Sequence, residues 1–218
     1  MKRMLLVGTV LLALTAQAYA GVGVTVKAGT LGIGAEVTKS IVPTVNVRVG
    51  GSYFTYGFDG TEGDVSYDLD LKLKSFNLLV DFHPILGRGL RLSAGMVLNS
   101  NGVDMVSRPT ASYDIGGTTY TATDVGTIHG AVDFKSFAPY VGIGWGNAAG
   151  GRWGIAFDLG LALQGSPQVD LSATGPIASD AQFLAELRQE ESQVQDDISG
   201  FKYYPVVSLG LSFKLSAM

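Results

Sequence analysis

Nine charged residues stand within segments of alternating apolar and small residues: Glu36, Arg48, Asp70, Lys72, Lys74, Asp81, Arg91, Asp158 and Lys214. Each opposes apolar neighbours in the alternation, and the two signs nearly balance. In the interior of a narrow closed sheet such side chains either neutralise one another in a static plug or line a polar path for solutes. Chemistry beyond ion pairing is poorly provided for. The chain has two histidines and no cysteine. His83 precedes Pro84 in a short turn and His129 stands at a strand start, neither with a second histidine or a cysteine at metal-ligand spacing. There is no Gly-x-Ser-x-Gly, and Gly142-Ile143-Gly144-Trp145-Gly146 follows no strand-to-helix junction. No catalytic, cofactor-binding or metal-ligating residue is assigned, no cofactor is expected, and the chain is not expected to be an enzyme.

The charges are positioned by a two-residue period, the mark of strands with two unlike faces. Val207, Leu209, Leu211, Phe213 and Leu215 alternate with Ser208, Gly210, Ser212 and Lys214. Trp153 to Leu163 opposes odd-numbered apolar residues to Gly154, Ala156, Asp158, Gly160 and Ala162, and Leu90 to Leu98 does the same against Arg91, Ser93 and Gly95. Val45 to Val49, Leu69 to Leu73 and Val141 to Trp145 add three more strands. A seventh, Val22 to Val37, changes phase near Gly29-Thr30, which reads as a bulge. An even number is usual, so an eighth strand lies either in that segment, if it reverses near Gly29, or within Ser107 to Thr127, where Tyr113 to Tyr120 reads more simply as a small loop hairpin. A soluble sandwich would also alternate, but its polar face would be rich in lysine and glutamate. Here that face is mostly Gly, Ser, Ala and Asn, which suits the crowded inside of a barrel. The expected fold is all-β, a single closed antiparallel transmembrane barrel of about eight strands, with one helix in the last long loop.

Lys2-Arg3, the apolar run Leu5 to Ala16 and the small residues Ala18 and Ala20 have the order of a secretory leader, too short in its apolar part to span a bilayer. Residues 1–20 are read as that leader and 21–218 as one barrel domain exported to the bacterial outer membrane. Taking Lys2 and Arg3 from 15 basic residues leaves 13 against 19 acidic, a net charge of −6 that argues against a nucleic-acid partner. Mean hydropathy is +0.27 without a long apolar run in the mature part, so the hydrophobicity is dispersed along strands. Connections alternate between tight turns (Lys39 to Thr44, His83 to Gly89, Gly146 to Arg152) and long loops (Asp59 to Ser66, Ser107 to Thr127, Gly165 to Gly200). Short turns normally face the periplasm and long loops the exterior. Asp180 to Ile198 reads as an acidic helix capped by Ser179, with an incomplete apolar stripe of Leu184, Leu187, Val194 and Ile198. Tyr203-Tyr204, Trp145 and Trp153 are the best candidates for the aromatic girdles at the two edges of the apolar band.

Val26 to Ala35, Tyr67-Asp68-Leu69-Asp70, Leu92-Ser93-Ala94-Gly95, Ala138-Pro139-Tyr140-Val141-Gly142-Ile143-Gly144 and Gly165 to Leu171 occur in an order that resembles the CarO-type outer-membrane proteins. The resemblance covers most of the mature chain and rests largely on barrel architecture. It implies uptake of ornithine and other basic amino acids, an association with carbapenem susceptibility, and partners limited to outer-membrane lipid, the barrel assembly machinery and small polar or cationic solutes. A monomeric, narrow porin-like channel is the expected function. The competing expectation is a non-conducting barrel that works through its long loops.

Overall fold

The computed structural model describes residues 21–62, 65–85, 89–108, 112–150 and 152–215. The expected leader lies outside them. In chain order the strands are β1 (Val22–Gly29), β2 (Gly32–Val42), β3 (Val45–Glu62), β4 (Val65–Phe82), β5 (Leu90–Asn99), β6 (Gly102–Arg108), β7 (Ser112–Ile115), β8 (Thr118–Thr121), β9 (Ile128–Asp133), β10 (Phe137–Trp145), β11 (Trp153–Leu163), β12 (Gln168–Ala173) and β13 (Tyr203–Leu215). The helices are α1 (Ala122–Val125) and α2 (Ala181–Asp197).

Eight of these strands close a ring in the order β1, β2, β3, β4, β5, β10, β11, β13, with β13 pairing back to β1. All ring pairs are antiparallel. Closure removes every edge within the ring, so no backbone donor or acceptor faces the surroundings there. The phase change near Gly29-Thr30 is not the expected bulge: Thr30 and Leu31 form a two-residue turn between β1 and β2, and this reversal supplies the eighth strand. A register irregularity does occur in β2, between Ser40 and Val42.

The outer face of the ring is a belt of exposed apolar side chains: Ile33 is 65% exposed, Trp153 68% and Leu209 61%. The inner face is buried and mostly polar or small. A surface of this kind requires a hydrocarbon solvent. Tyr203 stands outward at one end of β13, and Trp153, in register with Phe213, at the other. Ten residues separate those levels; at ~3.4 Å per residue and a tilt of ~40° they lie about 26 Å apart along the barrel axis, close to the usual apolar band of ~25 Å. Tyr204, by contrast, turns inward, and its hydroxyl donates to the Thr30 carbonyl at 2.5 Å.

At the loop end two ring strands run on beyond the belt. The expected loop Asp59 to Ser66 is mostly ladder, because β3 and β4 stay paired to Glu62 and Val65. Above Ser75, β4 exchanges its partner β5 for β6, and β6, β9 and β12 extend the sheet outward. The β7-β8 hairpin and both helices cover one face of this extension around Val65, Tyr113, Ile115, Val125, Ile128, Phe183 and Leu187. The N-cap of α2 is Asp180, one residue after the expected Ser179, and its Oδ1 accepts from the amides of Gln182 and Phe183. The helix buries Phe183 and Leu187 against the loop-end cluster, so that of the expected apolar stripe only Leu187 is fully buried.

Candidate functional site in the barrel lumen

Arg48 is carried inward by the pleat of β3 and reaches across the interior. Its Nη1 donates to Glu36 Oε2 at 3.0 Å and Asp158 Oδ2 at 3.1 Å. Its Nη2 donates to Asp81 Oδ1 at 3.1 Å, Asp158 Oδ1 at 3.2 Å and Ser93 Oγ at 3.3 Å. Arg48 Nε lies 3.0 Å from Asp81 Oδ2, an ion pair out of line for a hydrogen bond. Four strands are thereby tied through one guanidinium: β2 by Glu36, β4 by Asp81, β5 by Ser93 and β11 by Asp158.

Most of the remaining valences are met from the same layer, the buried Nε atoms of Arg48 and Arg91 being without a hydrogen-bond acceptor. Lys27 Nζ donates to Glu36 Oε1 at 2.5 Å, and Asn77 Nδ2 to the same oxygen at 2.9 Å. Arg91 Nη2 donates to Asp158 Oδ1 at 2.8 Å, Ser93 Oγ to Asp81 Oδ1 at 2.6 Å, and Ser208 Oγ to Asp158 Oδ2 at 3.3 Å. Three cations, Lys27, Arg48 and Arg91, thus face three carboxylates, Glu36, Asp81 and Asp158, all buried. Removing an ion from water costs several kcal/mol, so a buried set survives only when signs balance and spare oxygens find donors. Both conditions hold here.

Two further layers close the passage. Toward the loop end, Leu31, Leu79, Val97, Ala138, Tyr140, Ala162 and Val206 form an apolar collar. Tyr140 lies along the inner wall over Gly142 of its own strand and Gly160 of β11, where an added Cβ would come within 2.5 and 2.4 Å of its hydroxyl; the bare backbone is what admits the ring. Toward the turn end, the β10-β11 turn folds into the barrel mouth, burying Ala148 and Ala149. Arg91 Nη1 donates to the Gly146 carbonyl at 2.6 Å, and Asn46 Nδ2 donates to Asn147 Oδ1 at 3.1 Å. A Cβ on Gly23 would lie 2.2 Å from the Ala148 carbonyl oxygen, so this turn is seated on glycine. Between turn and charge layer remains a void of about 10 Å³, about the least that can hold one water.

His83 lies beside this seat, its Nε2 3.1 Å from Asn46 Nδ2. Asn46 uses its two amide hydrogens on His83 and Asn147, so Nε2 is the acceptor and the ring is the neutral tautomer protonated at Nδ1. Burial holds its pKa below the ordinary histidine value. His129 is exposed on β9. Among the described residues no group of three or more His, Cys, Asp or Glu is arranged to hold a metal ion.

Of the nine charges singled out in the sequence, Glu36, Arg48, Asp81, Arg91 and Asp158 meet in the lumen. Asp70, Lys72 and Lys74 do not: they lie on the outer face of β4, beyond the belt, where Lys72 pairs with Asp104. Their apolar neighbours Leu69, Leu71 and Leu73 face inward toward the loop-end core, reversing the expected phase. The physical reason is a change of solvent along one strand, which moves the apolar side of the sheet from outside to inside. Lys214 has the inward parity but is exposed at the turn end of β13. Lys27 was missed because a bulge was read into Gly29-Thr30; the alternation of Val22, Val24 and Val26 against Gly23, Thr25 and Lys27 is the signal that finds it.

No protein-family model matches this chain, and no curated protein does. Solved structures match it in fold. A crystal structure of CarO2 from Acinetobacter baumannii superposes with a TM-score of 0.58 at 21% identity, covering 89% of this chain and 98% of that one. A crystal structure of CarO from the same organism gives 0.57 at 22% identity, covering 91% and 99%. The barrel is therefore of a CarO-like architecture.

Proposed function

We propose that this protein resides in the bacterial outer membrane, delivered by its leader and the barrel assembly machinery, and passes small polar solutes slowly through a lumen latched by Arg48. The ring with its apolar belt supports the location, and the CarO-like fold agrees with it. In this setting the β2-β3, β4-β5 and β10-β11 turns lie in the periplasm, and the two-residue Thr30-Leu31 turn and the sheet extension outside. The observation that carries the proposal is the balanced charge layer. One side chain, Arg48, bridges the cross-section by hydrogen bonds that a solute's own charged groups can replace one for one. Charged and amphoteric small molecules, basic amino acids among them, exchange pairs with Glu36, Asp81 and Asp158 at the lowest cost, because no ion is left unpaired during passage.

The apolar collar favours the second reading, a barrel closed at all times that acts through its outer sheet. Uptake of labelled lysine or ornithine into proteoliposomes, beside a neutral sugar of similar size, separates the two. Saturable uptake of the amino acid above protein-free vesicles supports the passage. Permeability equal to that of empty vesicles for every solute, with folded protein, rejects it.

A further inference from the structure

The outer sheet and its cover enclose a cavity of about 780 Å³ that the lumen does not use. That volume is within the ~300–1,000 Å³ of small-molecule sites. Its floor is the apolar face of the extension, with Leu69, Met105, Val132 and Leu171 from four adjacent strands; Tyr113 of β7 and Leu187 of α2 close it from above. Among its described lining residues are two carboxylates and no basic side chain: Glu190, and at the exposed margin Asp114, whose Oδ1 accepts from Thr119 Oγ1 at 2.5 Å. Glu190 belongs to α2, whose Glu186, Glu191, Asp196 and Asp197 are countered within the helix by Arg188 alone.

A second feature adjoins the cavity. Gly60, on its margin, is followed down β3 on the same sheet face by Phe58, Tyr56 and Phe54, since these pair with Leu69, Leu71 and Leu73. Their rings stand 6.0 and 6.4 Å apart in near-parallel planes and remain 38 to 58% exposed. Apolar walls, carboxylates without a lining cation, and aromatic faces on the adjoining stretch of β3 are together complementary to an ammonium group on an apolar body. An anion of the same shape would be repelled, and a neutral molecule would leave the carboxylates without a counter-ion.

We propose that this outer cavity binds a small amphipathic amine, its apolar part on the Leu69, Met105, Val132 and Leu171 floor and its ammonium group toward Asp114 and Glu190. The site is independent of whether the lumen conducts.

The test uses the full chain in lipid nanodiscs and three ligands of one shape: phenethylamine, 2-phenylethanol and 3-phenylpropionate, titrated by calorimetry and ligand-detected NMR. The amine is expected to bind about tenfold more tightly than the alcohol, and the acid not measurably. Asp114→Asn with Glu190→Gln should lower amine affinity about tenfold, to that of the alcohol, and leave the alcohol unchanged. Val132→Phe should remove binding of both. The exposed carboxylate changes do not endanger folding, so the charge arm stands even if the packed variant misfolds. Equal affinity for the three ligands, amine binding indifferent to the carboxylates, or no saturable binding to the native chain each overturns the proposal.

Discussion

Arg48 decides what the interior does. Replacing it with methionine keeps much of the side-chain length but leaves Glu36, Asp81 and Asp158 facing only Lys27 and Arg91. Breaking one member out of a buried set costs about 3–5 kcal/mol, because the surviving charge is unpaired. Arg48→Met should therefore lower barrel stability by that order in urea titrations followed by Trp fluorescence, and in planar bilayers give larger, cation-preferring currents. Adding Asp158→Asn restores the balance, and should recover part of the stability while the cross-section stays wider. If both variants remain silent in bilayers although folded, Arg48 is a strut and not a latch. Tyr140 offers a purely steric counterpart: Gly160→Val drives a side chain into its ring and should cost about 1–3 kcal/mol by overpacking. The lumen residues were legible where a strand lies wholly within the apolar belt, as Arg91 on β5 and Asp158 on β11 do. Asp70, Lys72 and Lys74 were misplaced because alternation reports that two faces differ, not which solvent each one meets.

At the scale of elements, the ring strands were largely legible because their period of two is unbroken, whereas β6, β9 and β12 of the outer extension were not among the seven strands read from the alternation. Boundaries were less so: a two-residue turn and a bulge both shift the phase near Gly29, and only pairing tells them apart. Ser179 and Asp180 are both good helix caps, so sequence alone did not choose between them. The inward fold of the β10-β11 turn had no signature at all, since Asn147, Ala148 and Ala149 would suit an ordinary exposed turn. That turn hangs partly on neutral His83. Because burial lowers the folded-state pKa below the unfolded value of ~6.5, the imidazole's contribution is present above ~6.5 and is lost as pH falls through the folded value. Protonated Nε2 becomes a donor facing the Asn46 amide donor, and the Asn46 to Asn147 bond loses its support. Acidification from pH 7.5 to 5 should therefore speed amide exchange in residues 146–150 relative to the intrinsic rate at each pH, read by mass spectrometry, and this relative acceleration should vanish in His83→Gln. Equal acceleration in both proteins would assign it elsewhere.

At the scale of the whole molecule, the eleven-stranded main sheet stands in two solvents, and β4 records the passage. Its outward residues read Ser66, Asp68, Asp70, Lys72 and Lys74, then Phe76, Leu78, Val80 and Phe82; its inward residues read Val65, Tyr67, Leu69, Leu71 and Leu73, then Ser75, Asn77, Leu79 and Asp81. The apolar side changes face between Lys74 and Phe76 without a change of pleat, which places the outer boundary of the hydrocarbon there. The two apolar clusters divide at the same level, one inside the ring and one under the outer sheet. A lysine introduced at two levels on the same face of this strand should then have two different costs. Val80→Lys sets an ammonium group among acyl chains and should destabilise the barrel by up to about 2–4 kcal/mol, the range for a lysine near the midplane. Asp70→Lys, ten residues away with the same parity, stays in water and should cost about 0–1 kcal/mol. Urea unfolding of both variants refolded into phosphatidylcholine vesicles measures the difference. Near-equal costs would mean that the boundary is not at Lys74 and that the outer face of β4 meets one solvent along its whole length.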